Sequence, residues 1–142
     1  MIRKLENKDI DEIMEIWLES TIEAHDFIKK EFWEDNYDTV KNVYIPMADN
    51  FVYEEDNNIR GFISVINNEF IGALFVEREY QGKGIGKSLI NYALTIYKKL
   101  NLAVYKDNKK SVEFYLNRGF EIIKEQYNED SCYKEYIMES TL

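Results

Sequence analysis

Three of the six glycines in this 142-residue chain fall within five positions, in Gln81-Gly82-Lys83-Gly84-Ile85-Gly86-Lys87-Ser88. An apolar run ending at Val76 precedes them. After them Ile85, Leu89, Ile90, Ala93, Leu94 and Tyr97 recur on one helical face. A strand that passes into a helix through glycines leaves bare backbone at the helix start. Glycine admits close approach, the first helical N–H groups lack intrahelical partners, and the helix dipole adds roughly half a positive charge there. Such a turn suits an anion. The alternative is a turn that merely joins strand to helix. Lys83 and Lys87 are candidates either for further phosphate contacts or for solvated surface charge.

Two phosphate-binding patterns come close and fail. A Walker A loop, G-x-x-x-x-G-K-[ST], finds its end in Gly86-Lys87-Ser88, but Gln81 stands where its first glycine is required. A dinucleotide fingerprint, G-x-G-x-x-G, fits Gly82 and Gly84 but meets Lys87 at its last position. What remains is Q-x-x-G-x-G, from Gln81 to Gly86.

The rest of the chain alternates strand and helix signals. Ile2 to Leu5 reads as a strand, and Ile10, Ile13, Met14, Trp17 and Leu18 mark an amphipathic helix. A second, less regular helix is expected over about Glu23 to Asn36, and Pro46 argues for a break within Thr39 to Asn50. Phe51 to Glu55, Ile59 to Ile66 and Glu69 to Val76 read as strands of an antiparallel meander. Asp56-Asn57-Asn58 and Asn67-Asn68 supply its turns. Leu100 to Tyr105 is a further strand. A helix then runs between the N-cap Asn108 and Gly119, and Phe120 to Gln126 and Tyr133 to Met138 close the chain. The expected fold is a single α/β domain over residues 1–142, with a mixed, mostly antiparallel sheet and helices on both faces.

Composition bounds the partners. The net charge of −9 argues against nucleic acid, whose phosphates need clustered Lys and Arg. No apolar run approaches the ~20 residues of a membrane span. The N-terminal residues lead directly into helical periodicity, so no signal peptide is expected. Cys132 is the single cysteine, which fits a reducing cytoplasm. One His and one Cys offer no metal-ligand spacing, and no G-x-S-x-G elbow is present.

The Q-x-x-G-x-G turn resembles the acyl-CoA-binding motif of the GNAT (GCN5-related N-acetyltransferase) superfamily. The likeness extends beyond it. Gly72-Ala73-Leu74-Phe75-Val76 looks like that family's splayed strand. Asn108 followed by Phe114-Tyr115-Leu116-Asn117-Arg118-Gly119-Phe120 resembles its N…FYxxxGF segment, and Glu135-Tyr136-Ile137-Met138 its last strand. Trp17 to Thr21 and Ala24 to Ile28 are similar to a bacterial subgroup, the YjaB-like acetyltransferases. Arg78 stands where the family often has proline, and Ser111 where alanine is usual.

The resemblance implies acetyl transfer from acetyl-CoA, as co-substrate, to a primary amine of a small molecule or peptide. The amine would attack the thioester directly through a tetrahedral intermediate, in a monomer or homodimer. A non-catalytic acyl-CoA-binding regulatory module and a nucleotide-phosphate loop are the alternatives. Leu74, Phe75 and Val76 would line the cofactor arm, with the backbone N–H of Phe75 or Val76 serving the oxyanion. Residues Gln81, Gly82, Lys83, Gly84, Ile85, Gly86 and Lys87 would hold the pyrophosphate, and Asn108 would touch the arm. Tyr115 would serve the leaving thiolate. A phenol near pKa 10 is a weaker acid than a thiol near 8.5, so a hydrogen bond or concerted transfer is favoured over free protonation, which is uphill by roughly 2 kcal/mol. The family's strand glutamate falls on Phe70, beside Glu69, so the base stays open among His25, Asp26 and a water chain.

Overall fold

In the computed structural model, residues 1–140 are described. β1 (Ile2–Lys4), α1 (Ile10–Ala24), α2 (Lys30–Thr39) and α3 (Ile45–Met47) precede a meander of β2 (Asp49–Glu55), β3 (Asn58–Ile66) and β4 (Phe70–Val76). Then follow α4 (Ile85–Ile96), β5 (Asn101–Tyr105), α5 (Lys109–Asn117), β6 (Phe120–Tyr127) and β7 (Lys134–Ser140). The seven strands form one sheet in the order β1-β2-β3-β4-β5-β7-β6. Every pairing is antiparallel except β4 with β5.

Strand alternation explains the three-layer arrangement. Neighbours such as Phe51 and Val52, or Phe62 and Ile63, are all buried yet point to opposite faces. Phe51 and Ile63 pack with Ile85, Leu89, Ile90 and Ala93 of α4 on one face. Val52 and Phe62 pack with Ile13, Met14 and Trp17 of α1 and with Trp33 of α2 on the other. A sheet covered on both sides is buried at successive positions, and β3 is buried from Gly61 to Val65, all but Ser64 of these being non-polar. Both hairpin turns are left-handed at their central residues, with φ of 54° and 64° at Asp56 and Asn57 and 55° and 62° at Asn67 and Asn68. Asn and Asp tolerate that region best after glycine.

The first helices differ from the sequence expectation. There is no helix from Glu23: α1 runs on to Ala24, and α2 begins at Lys30. The break lies at His25, whose backbone leaves the helical region (φ −124°, ψ 58°). Its ring turns back on the last helical turn, with Nδ1 2.8 Å from the Thr21 carbonyl. Farther on, Pro46 does not interrupt the helical path where it is reached. A wider π turn over Val40–Tyr44 feeds α3, and the path ends at Ala48. The wider turn relieves the clash a proline ring makes with the carbonyl four residues back.

Candidate active site

The sheet opens where β4 meets β5. These strands pair only at Phe70–Asn101 and Ile71–Leu102. Beyond them β4 stays with β3 as far as Val76, while β5 stays with β7 as far as Tyr105. Gly72 sits at the divergence, unpaired in a bulge where the β3–β4 register slips between Ser64 and Val65. A cavity of about 620 Å³ occupies the resulting gap. Its walls are Leu74, Phe75 and Val76 of β4, the glycine turn, the start of α5 and the last turns of α1.

The free edge of β4 supplies the donors. Glu77 N–H bonds the Arg60 carbonyl at 2.8 Å, so residue 77 faces β3. Strand alternation then gives the N–H of Phe75 to β3 as well and turns those of Leu74 and Val76 toward the gap. Of the two amides expected at an oxyanion, the register therefore leaves Val76, and the assignment of Phe75 is corrected. Phe75 instead contributes its side chain, which packs on the α1 face against Phe62.

The glycine turn is shaped as its sequence demands. Gly82 (φ 79°) and Gly84 (φ 86°) are left-handed, and Gly84 is the N-cap of α4. Ser88 N–H closes the first turn onto the Gly84 carbonyl at 3.0 Å. The amides of Ile85, Gly86 and Lys87 precede it and have no intrahelical acceptor. Gln81 braces the turn: its Nε2 donates to the Val76 carbonyl at 3.0 Å, and its Oε1 accepts from Lys110 Nζ at 3.4 Å.

Gln81, Gly82, Gly84, Ile85, Gly86 and Lys87 line the cavity. The Lys83 side chain is drawn elsewhere, its Nζ 5.0 Å from the centre of the Tyr80 ring, whose other neighbour is the Arg60 guanidinium at 3.9 Å. Cation–π attraction accounts for both. Lys109 and Lys110 of α5 take up cavity positions the sequence did not single out.

Asn108 and Tyr115 stand on the α5 side. The Asn108 Oδ1 accepts from Ser111 N–H at 3.3 Å, the N-cap bond its position predicted. Tyr115 is 9% exposed, packed against Phe114 and Phe120. Burial pushes its phenol well above the ordinary value of 10, so it remains a proton-bearing donor throughout the neutral and mildly alkaline range.

His25 does not line the cavity. It is 7% exposed, ringed by Phe27, Trp33 and Tyr105. One ring nitrogen lies at the Thr21 carbonyl and Nε2 is 3.2 Å from Asn108 Nδ2. Burial pushes its pKa below 6.5. A base must reach the proton it takes, and this imidazole has both nitrogens engaged. The expectation of His25 as the base is therefore corrected. Glu69 lies at the opposite end of β4, roughly 20 Å from Val76 at strand rise, and Asp26 is exposed beyond α1. The carboxylates that do reach the cavity are Glu23 of α1 and Asp107 before α5. Glu23 lies 3.4 Å from the Arg78 Nε. Sequence reasoning missed both, because neither belongs to a motif.

Among the described residues no cluster of three or more His, Cys, Asp or Glu could hold a metal ion, and no helix is long and apolar enough to cross a membrane.

The chain is similar to known proteins over nearly its whole length. Residues 20–134 match the acetyltransferase (GNAT) domain family. The peptidyl-lysine N-acetyltransferase YiaC of Escherichia coli K12 is 36% identical over 97% of this chain and 94% of its own. The solution structure of apo-form YjaB from Escherichia coli superposes with a TM-score of 0.86 at 25% identity, covering 99% of this chain and 97% of that one. The PaiA N-acetyltransferase of Thermoplasma acidophilum, solved with coenzyme A, shares the fold at TM-score 0.83 and 24% identity, covering 100% and 98%. A splayed β4–β5 gap, a Q-x-x-G-x-G turn at a helix start and these relatives converge: the chain belongs to the GNAT acetyltransferase family, on its YjaB-like bacterial side, and is an acetyl-CoA-dependent N-acetyltransferase.

Proposed function

We propose that the acceptor is a lysine side chain presented by a peptide or protein, acetylated by direct attack within the β4–β5 gap. The observation that carries this reading is the free edge of β4 beside Tyr115. One wall of a single cavity bears the unpaired amide of Val76, and the other a buried phenol. YiaC, at 36% identity, is named for peptidyl-lysine.

In this reading the amides of the glycine turn, with Lys87, Lys109 and Lys110, hold the diphosphate end of acetyl-CoA. Leu74 and Val76 align the arm along β4, and Asn108 touches it from α5. The acceptor nitrogen forms its bond to the thioester carbonyl carbon, and Val76 N–H donates to the oxygen as negative charge gathers on it. The C–S bond then breaks, and the Tyr115 hydroxyl donates to the departing sulfur. Glu23, at the α1 rim, attracts the acceptor ammonium and takes its surplus proton directly or through water.

In this reading the enzyme works as a monomer or homodimer, each active site being lined by one chain. A net charge of −9 favours a cationic acceptor over nucleic acid. A cytoplasmic location belongs to the same reading, with Cys132 exposed and its thiol free.

The test is thiol release from acetyl-CoA with lysine peptides, free lysine, a polyamine and an aminoglycoside as acceptors, with products identified by mass. Acetyl-lysine peptide formed at a kcat/KM above that of every small amine supports the reading. A small amine outpacing all peptides overturns the acceptor assignment, and binding of acetyl-CoA with no turnover on any amine points to a regulatory module.

A further inference from the structure

His25 and Asn108 lie 83 positions apart in the chain yet meet side chain to side chain, both buried. The partners around them fix where each proton must be. A backbone carbonyl can only accept, so His25 Nδ1, 2.8 Å from the Thr21 carbonyl, carries the hydrogen and donates it. In the neutral ring Nε2 is then an acceptor. The Asn108 atom that meets it, at 3.2 Å, must be the NH2 group. The Asn108 oxygen is thereby directed to the Ser111 N–H at 3.3 Å, which needs an acceptor. One carbonyl at the end of α1 thus sets the orientation of an amide at the start of α5. One Asn108 N–H is spent on His25, and the second remains on a residue that lines the cavity.

We propose that His25 is a positioning residue: through the Thr21–His25–Asn108 chain it holds the Asn108 amide so that its second N–H is presented to the acetyl-CoA arm. The inference rests on the reading that Asn108 touches that arm.

Protonation of His25 would break the arrangement. Nε2 would become a donor facing the donor NH2 of Asn108. Turning the Asn108 amide over would relieve that contact but set its NH2 against Ser111 N–H and forfeit the cap. The groups around the ring are Thr21, Phe27, Trp33, Tyr105 and Asn108. Of these only the Tyr105 phenol titrates, and burial keeps it protonated above its ordinary range. Asp26, next in the chain, is exposed. Among these groups no carboxylate stands against the ring to favour its charged form, and no cation to oppose it. Burial keeps the imidazole neutral, outweighing the Thr21 carbonyl bond, which by itself favours the charged form.

The test compares His25→Phe, which fills the space without accepting, with His25→Gln, whose side-chain oxygen can accept from Asn108 and does not titrate. His25→Phe is expected to raise the acetyl-CoA KM and the calorimetric Kd for coenzyme A by roughly tenfold, the size of one lost hydrogen bond, while kcat stays within about threefold. His25→Gln is expected to restore both constants and to lack the weakening of acetyl-CoA binding expected of the wild type on acidification. In the unmutated protein, 15N spectra of the ring should show the Nδ1–H tautomer, a readout that does not depend on any variant folding. Unchanged cofactor constants in His25→Phe, or an Nε2–H tautomer in the wild type, overturn the inference. Were wild-type protein not to bind coenzyme A at all, the acetyltransferase reading itself would fail; wild-type binding and turnover with an unaffected His25→Phe would remove this inference alone.

Discussion

The side chain of Gln81 hydrogen-bonds the backbone carbonyl of Val76 at 3.0 Å, tying the glycine turn to the last residue of the gap strand. The carbonyl and amide of Val76 point the same way in an extended strand. The Gln81 bond therefore steadies the very peptide edge whose N–H serves the oxyanion. Gln81→Ala is expected to raise the acetyl-CoA KM about five- to tenfold, as one lost hydrogen bond near the ligand would. Its side chain is exposed, so the thermal midpoint should barely move. Michaelis constants beside a melting curve check both halves.

Gly86 separates folding from binding. A Cβ there would meet Phe114 Cζ at 3.5 Å and Val76 Cγ2 at 3.7 Å, ordinary contacts, and its φ is not left-handed. Gly86→Ala should stabilise the fold by about 0.5–1 kcal/mol through helix propensity. It should nonetheless weaken coenzyme A binding severalfold, because the methyl intrudes where the diphosphate approaches the backbone. Gly84→Ala should lose both, since its φ of 86° strains any side chain by roughly 1–2 kcal/mol. Denaturant melts with calorimetric titrations distinguish the two variants.

Tyr115→Phe removes only the hydroxyl. We expect kcat to fall at least about tenfold, equivalent to 1.4 kcal/mol of barrier, with coenzyme A affinity nearly unchanged. Burial raises the phenol above its ordinary value, so the wild-type kcat should show no alkaline decline from this group up to about pH 10. Unaltered turnover in Tyr115→Phe would remove the residue from the mechanism.

Glu23 reaches the cavity from α1, half exposed and paired with Arg78. Glu23→Gln should raise the KM for a lysine peptide by up to about fivefold, the range for one exposed charge contact, and leave the acetyl-CoA KM alone. Bisubstrate kinetics read the two constants separately. An equal change in both would assign Glu23 to the shape of the site instead.

Stability should fall on acidification in two stages. The His25 pKa is lowered in the folded state by burial, so the unfolded chain takes up its proton first. Its contribution is full above the ordinary 6.5 and fades as pH falls toward the lowered value. Asp9 is also lowered, chiefly by its hydrogen bonds from Arg3, at 2.8 and 3.1 Å. Its contribution is full above the ordinary 3.8 and is lost as pH drops below it. Asp9→Asn should cost about 2–4 kcal/mol at neutral pH and flatten the lower stage, because the Arg3 guanidinium loses the nearly buried one of its two carboxylate partners, Glu54 being the other. Urea melts from pH 3 to 8 would check the sign of both stages.

Local features of the fold were legible because local chemistry fixes them. Asn67-Asn68 and Asp56-Asn57 announce left-handed turns, Gly84 a left-handed cap, and Asn108 a helix start. Tyr115 and the glycine turn were legible as members of a spaced motif. What the sequence hid depends on partners far away in the chain. Whether Phe75 or Val76 faces the gap is a matter of strand parity, decided by the Glu77–Arg60 bond. The lone histidine stood with Asp26 and a water chain as a candidate base, and only the fold shows Thr21 and Asn108 occupying both its nitrogens. Glu23 and Lys110 entered the site only through the packing of α1 and α5 around β4. The break at His25 was missed because the helical periodicity of flanking apolar residues continues across it.

The central claim is that the gap between β4 and β5, capped by the Gln81–Gly86 turn, binds the thioester carrier. Calorimetric titration of the purified wild-type chain with coenzyme A, beside ATP, tests it most directly. The account expects saturable one-to-one binding of coenzyme A well below 1 mM, about −4 kcal/mol or better, and much weaker binding of ATP. No detectable heat with coenzyme A at millimolar concentration, or tighter binding of ATP, would contradict it.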